Sequence, residues 1–300
     1  MMTKSSVISR AFRAYRAFVG TANQTLEAPL SSFPFVSGDT FLQMAGVVFG
    51  GTEVVSRWQP NHRICFAPGP VATRSDFLQR AEQFVERQGS QTYTLLIHNG
   101  DHIPPETVLE QLGDLFQRVY SVNVTSETSN VRALPIGLEN ARLNNNGRLS
   151  YYLEGLEQPR SNNRPRLVLS SFHVSNNPLV RQPTADLLRA SRFGFDGQSW
   201  KRKEYRDVLK QTCFVISPPG NGPDCHRTWE AVCMGAVPVV LKEHLGRSLW
   251  DGMPIFAVDS YEDFVDISDD TLRGIYTELT NKTARTAFAT HWLREFSTWE

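Results

Sequence analysis

CFVISPPGNGPDCHRTWEAVCMGAVPVVL, Cys213 to Leu241, reads in one pass as strand, loop, helix and strand. The first residues are apolar without alternation, the pattern of a strand covered on both faces. The apolar run ends at Ser217, and Pro218-Pro219-Gly220 followed by Asn221-Gly222-Pro223 turns the chain. A helix is expected from near Asp224 to Met234, ended by Gly235, and AVPVVL returns as a second strand. In an open parallel sheet, ligands sit beyond the carboxyl ends of the strands, where helix N-termini also point. Free N–H groups and the helix dipole at such an end favour a phosphate. Gly220 and Gly222, with Asn221 between them, let that ligand come close to the backbone.

Inside the expected helix, His226 and Glu230 are four apart and Arg227 and Glu230 three apart, so both pairs can share a face. A guanidinium at that end can pair with a diphosphate, and a carboxylate one turn deeper can accept the hydroxyls of a ribose. Trp229, Val232 and Cys233 lie on another side and are expected to pack on the sheet. A surface Arg–Glu pair on an ordinary amphipathic helix is the plainer alternative. The strand, the glycine loop and the short helix together favour the ligand site. The loop is not a Walker motif, because no Gly-Lys-Ser/Thr follows it.

Working outward, the same alternation continues on both sides. LVLSSF is a strand, Pro178 to Ser191 a helix, Arg202 to Gln211 another, and PIFAVDS a further strand before a helical remainder from Tyr261. Toward the N-terminus, RICFA from Arg63, TYTLLIHNGD from Thr92, RVYSVNV and VRALPIGLEN are extended. Between them lie a helix capped by Ser75 and ended by Gly89, and one opened by Pro104 and Pro105. Residues 141–166 are rich in Asn, Arg and turn formers and mark the expected domain boundary. Residues 20–40 read as a linker. Residues 5–18 place Val7, Phe12, Tyr15 and Phe18 among Arg10, Arg13 and Arg16, an apolar stripe with basic flanks. That segment, within residues 1–19, is either a leading helix packed on the first lobe, the favoured reading, or a peripheral membrane contact.

Composition narrows the function classes. The 300 residues carry 31 Lys plus Arg against 31 Asp plus Glu, so no overall field draws the chain to nucleic acid or anionic lipid. Four cysteines, none in a CxxC pair, make no disulfide framework. No apolar run approaches the roughly 18 residues of a membrane span, and the arginines interrupt any signal-peptide core. A cytoplasmic location is therefore expected. No G-x-G-x-x-G opens the first helix after a strand, which counts against an epimerase or dehydrogenase.

Over about two dozen residues the segment resembles the donor-binding portion of exostosin-like glycosyltransferases and their GT-B relatives. The resemblance rests on Pro218-Pro219-Gly220, His226-Arg227, Glu230-Ala231 and Gly235-Ala236-Val237-Pro238-Val239-Val240. The alpha-1,3-fucosyltransferase group has a related segment with a Lys in the helix. The resemblance implies two Rossmann-like lobes with a cleft between them, an acceptor lobe over residues 20–150 and a donor lobe over 160–300. The last helix of such enzymes often crosses back to the first lobe. It further implies transfer of a sugar from a nucleotide-sugar, UDP favoured over GDP, to a glycan or other hydroxyl acceptor, as in polysaccharide biosynthesis. Inversion without a metal is implied, with Arg227 on the diphosphate and Glu230 on the ribose. A catalytically silent sugar-nucleotide or glycan-binding module is the alternative.

An inverting transfer needs a general base. Ile97 to His102, IHNGDH, ends an apolar strand in the acceptor lobe, and Asp101 is the expected base with His98 second; an Asn-Gly-Asp turn is the bland reading. His173 and Arg181, after the strand LVLSSF, are further candidates for the donor phosphates. Glu139 and Asn140 in the PIGLEN loop face the cleft or form a plain turn. Lys201, Arg202 and Lys203 read as a solvated helix start, and Glu262 and Asp263 as a helix cap.

Overall fold

The computed structural model describes residues 32–56, 63–89, 92–143, 149–157, 164–197 and 200–297. The chain divides into two compact units, Met1–Gly147 with Phe288–Glu300, and Arg148–Ala287. Both are α/β. Helix α1 (Gly38–Met44), strands β1 (Val47–Phe49), β2 (Val54–Ser56) and β3 (Ile64–Pro68), and helices α2 (Gly69–Ala72) and α3 (Phe77–Gln88) open the first unit. Strand β4 (Thr94–His98), helix α4 (Glu106–Leu115), and strands β5 (Arg118–Ser121) and β6 (Val131–Ala133) follow. The second unit comprises α5 (Leu149–Glu157), β7 (Arg166–Leu169), α6 (Pro178–Ala190), α7 (Arg202–Lys210), β8 (Thr212–Ile216), α8 (His226–Cys233) and β9 (Val237–Leu241). It closes with α9 (Arg247–Trp250), β10 (Phe256–Val258), α10 (Tyr261–Val265) and α11 (Asp269–Thr280), and α12 (Ala289–Ser297) belongs to the first unit.

The first unit's sheet has the order β2-β1-β3-β4-β5-β6. All neighbours are parallel except the edge pair β1–β2. The second has the order β10-β9-β8-β7, all parallel. The central strands β4, β8 and β9 are buried along their whole length, which is why they read as unbroken apolar runs rather than alternating ones. The second order progresses steadily. In the first, β2 and β3 lie on opposite sides of β1, but that reversal is an antiparallel hairpin, so neither sheet has a switch point between two helical crossovers among the described strands. Any ligand position must therefore be argued from strand ends and helix starts.

Each unit has its own aromatic core. In the first, Phe49 meets Phe77 and Phe84 edge-on at 5.4 and 5.5 Å. On α12, Trp292 and Phe296 pack on Tyr120, with Trp292 also against Phe41. In the second, Phe214 on β8 is the hub, with Phe264 at 5.7 Å and Tyr276 at 5.9 Å. Such contacts add to area burial through the ring quadrupoles.

Several sequence readings need correction. The linker over residues 20–40 does not hold in its described part. Ser32 to Asp39 are buried, and Ser37 caps α1 by accepting from the Thr40 N–H. The hairpin β1–β2 has no counterpart in the reading of the sequence. The division between the units at 147/148 falls inside the expected boundary segment 141–166, but that segment also contains α5 rather than turns alone. Ser75 is not the cap of α3, which has Asp76 at that position with no side-chain cap bond. Helix α8 starts at His226 behind Cys225, because the Asp224 carboxylate turns to the Trp229 indole instead, both oxygens at 2.9 Å. Residues 5–18 lie outside the described residues. Among those described, no helix is long and apolar enough to cross a membrane.

Candidate functional site

The polar groups of the second unit gather at the carboxyl ends of its parallel strands. Ser217 and the loop to Cys225 follow β8 and are tied to α8. The Ser217 hydroxyl lies 2.9 Å from the Thr228 hydroxyl, and the Cys225 thiol 3.3 Å from Ser217. Gly220 N–H donates to Gly222 O at 3.0 Å, closing the Gly220-Asn221-Gly222 turn. Asn221 is exposed and the two glycines buried.

Arg181, on α6 and only 3% exposed, lies beneath this loop. Its Nε donates to Pro219 O at 2.8 Å, Nη1 to His173 O at 2.8 Å and Nη2 to Pro218 O at 3.2 Å. Asn177 Nδ2 adds a bond to Gly220 O at 3.1 Å. A Cβ on Gly220 would come within 3.0 Å of Arg181 Nη2, so the glycine lets the guanidinium press against the backbone. Each nitrogen of Arg181 thus holds a carbonyl. Arg181 lies under the loop and shapes it. His173 is exposed, with its carbonyl on Arg181.

Arg227, in the first turn of α8, differs. Its Nη1 donates to Ser171 O in the loop after β7, and Trp200 Nε1 donates to the Ser171 hydroxyl at 3.1 Å. The Nε of Arg227 is buried and has no hydrogen-bond partner among the described residues. Neither Arg181 nor Arg227 forms an ion pair with a described carboxylate. Burial, and then the neighbouring Arg227 charge, pull the Arg181 pKa down. Two guanidinium groups in each other's field, with no ion pair to a described carboxylate, are costly to bury and favour an anion beside them.

The hydroxyls of Tyr205 on α7 and Tyr261 on α10 are also buried without a partner among the described residues. Both phenols are pushed up, chiefly by burial, and both lie in the fields of Arg227 and Cys225. Glu230 is one turn further along α8, 8% exposed. Its Oε1 accepts the Tyr152 hydroxyl at 3.2 Å. His226 is half-buried at the helix start. The fold therefore brings Arg227, Glu230, His226, the Gly220–Gly222 turn, Arg181 and His173 to one end of one unit. Tyr152, Tyr205, Tyr261 and Ser171 belong to the same cluster and carried no signal in the sequence, since each is an ordinary residue until the fold sets it there.

In the first unit, the strand end that carries Asp101 is built differently. His98 is buried; its Nε2 lies 3.1 Å from Pro135 O and its Nδ1 accepts the Asn99 N–H at 2.6 Å. That pairing fixes the tautomer with the proton on Nε2. Asn99, at φ +59°, presents its Oδ1 to Asn140 Nδ2 at 2.8 Å, and Asn140 Oδ1 accepts the Asp39 N–H at 2.8 Å. Asn140 is thereby a brace between α1 and the β4 loop. Gly137, at φ +68°, lets Leu138 N–H reach Val36 O at 2.9 Å, where a Cβ would sit 2.3 Å from that oxygen. Gly100 and Gly69 touch backbone to backbone; a Cβ on Gly100 would come within 2.9 Å of Gly69 Cα. Asp101 itself is exposed, and its carbonyl takes Asn123 Nδ2 at 2.9 Å. Elsewhere, Asp263 completes a capping box with Ser260, and Lys201, Arg202 and Lys203 are exposed.

No protein-family model matches the chain. No curated protein matches it. Among solved structures it is similar to the N-terminal domain of the trehalose-6-phosphate phosphatase of Candida albicans, with 9% identity over 79% of this chain and 70% of that one. The TM-score is 0.39, a likeness that carries no argument about activity.

Proposed function

We propose that this chain is a nucleotide-sugar-dependent glycosyltransferase of the two-lobed GT-B kind, inverting and metal-independent, acting on a glycan or other hydroxyl acceptor. The observation that carries this reading is Arg227: a guanidinium at a helix start whose buried Nε has no partner among the described residues, one turn from a buried carboxylate. A diphosphate meets the first and a ribose hydroxyl the second. The nucleotide lies against the Gly220–Gly222 turn in the second unit, with UDP favoured over GDP. In the first unit, Asp101 takes the acceptor proton as the nucleotide diphosphate leaves. Positive charge at Arg227 and the α8 dipole meet the charge that develops on the leaving group.

A thermal-shift series with UDP, GDP, CMP and dTDP tests the nucleotide, since a ligand that binds only the folded state raises its stability. Transfer from the best nucleotide's sugar is then measured with and without EDTA. Activity that persists on chelation supports the reading; loss of transfer restored by manganese or magnesium rejects the metal-independent part. A second reading, a silent nucleotide-binding module, is favoured by the engagement of both His98 ring nitrogens, which removes one of the two expected bases, Asp101 and His98. Nucleotide binding with neither transfer nor donor hydrolysis selects that reading.

A further inference from the structure

Glu230 is asymmetric. Its Oε1 takes the Tyr152 hydroxyl at 3.2 Å, while its other oxygen takes no hydrogen bond from the described residues. Tyr152 is buried, and burial followed by the Glu230 charge pushes its phenol well above the usual range. The hydroxyl therefore keeps its proton and faces the carboxylate as a donor. Its ring is held in turn. The Arg206 guanidinium, itself buried on α7, lies 4.2 Å from the Tyr151 ring centre and 5.1 Å from that of Tyr152. The carboxylate is fixed from one side by a chain of three residues on two other helices, and it presents one oxygen.

We infer that Tyr152 is the positioning residue of the nucleoside subsite, turning Glu230 so that it accepts one sugar hydroxyl rather than bridging two. This rests on the nucleotide reading above. One open oxygen on a fixed carboxylate makes the site selective for a ribonucleotide and able to tell the 2′ from the 3′ hydroxyl. A site built to bond a hydroxyl rejects the analogue lacking it, because its own acceptor is then left unpaired. Freed of Tyr152, the carboxylate can rotate and serve either hydroxyl, and the distinction fades.

The test is calorimetric titration of the full chain with UDP, 2′-deoxy-UDP, 3′-deoxy-UDP and inorganic diphosphate. The wild type should lose roughly 10- to 100-fold in affinity for one deoxy analogue and little for the other, as for one hydrogen bond to a charged group. Tyr152→Phe should weaken UDP severalfold and bring the two analogues together, with diphosphate affinity unchanged. On a Glu230→Gln background, Tyr152→Phe should change nothing further. Equal losses for UDP and diphosphate in Tyr152→Phe would mean a general structural role and overturn the inference, as would an unchanged preference between the analogues. A preference that survives Glu230→Gln overturns it independently of how Tyr152→Phe behaves. A wild type that binds neither UDP nor diphosphate defeats the nucleotide reading itself, and this inference with it.

Discussion

The carboxyl ends of β4 and β8 both gather polar side chains around a glycine-bearing loop, yet the polar groups are matched in opposite ways. At β4, His98, Asn99 and Asn140 bond one another and the nearby backbone, so the half-buried amides and the buried imidazole are answered from within the unit. At β8, the Nε of Arg227 and the hydroxyls of Tyr205 and Tyr261 are buried without partners among the described residues. Folding leaves few buried polar groups unmatched, and each that remains asks for an explanation. A matched network stabilises the fold; an unmatched one is stabilised by whatever binds it. The two loops therefore answer differently to mutation, the first in stability and the second in affinity.

The largest expected effect lies on an exposed carboxylate of the β4 loop. Asp101→Asn keeps the shape and removes proton affinity, so kcat should fall by about 10²–10⁴-fold with donor affinity little changed. His98→Ala should leave turnover on the wild-type scale after correction for folded protein. Loss of turnover in His98→Ala with an active Asp101→Asn would give the imidazole the base role. If neither change alters turnover, IHNGDH is only a turn.

Next comes the β8 side. Arg227→Ala should weaken the best nucleotide by about 1.5–3 kcal/mol, the range for a hydrogen bond to a charged group, while the melting temperature of the free protein holds or rises. A variant with unchanged affinity would move the nucleotide away from α8. The mirror experiment is Asn140→Ala, which strands the Asp39 N–H and the Asn99 amide. It should cost about 1–3 kcal/mol of stability in urea titration and leave nucleotide affinity alone. Reduced affinity without reduced stability would erase the contrast between the two loops.

The smallest effect is a pH slope at His244, beyond the end of β9. Burial lowers its pKa from the ordinary value of 6.5, outweighing the nearby Glu243. The folded state thus takes up the proton later than the unfolded chain. Stability is complete above pH 6.5 and declines as pH falls from there toward the folded pKa. Denaturant titrations between pH 5 and 7.5 should show that slope, and His244→Gln should flatten it. An unchanged slope in the variant would place the titration on another group.

Much of the fold was legible because it rests on local pattern. The runs CFVI, TLLIH and VPVVL are apolar without interruption, and strands covered on both faces admit little else. The Gly-Pro loop and the helix carrying Arg227 and Glu230 were legible for the same reason. What escaped depends on tertiary placement. Helix α1 begins with Gly38 and has a β-branched residue at Thr40, poor helix formers that tertiary packing overrides. Helix α5 lies in an Asn- and Arg-rich stretch that reads as turns. The role of Arg181 was hidden because its acceptors come from positions 173, 218 and 219, and only the fold shows that they meet around one guanidinium. Tyr152 was hidden likewise, 78 residues from the carboxylate it holds.

The contact between Gly69 and Gly100 has a consequence for descent. Most tight pairs in a protein can drift together, one side chain shrinking as its neighbour grows. Here each residue is already the smallest there is, and a Cβ on either meets the backbone of the other, at 2.8 Å from Gly69 and 2.9 Å from Gly100. No second-site change in side-chain size can make room, and relief must come from moving main chain. Lineages that keep the loop bearing Asp101 in place should show glycine at both positions without covariation between them. In a randomised library the pair should return as two independent fixed positions, and a lineage that has lost either glycine should also have remodelled the loop.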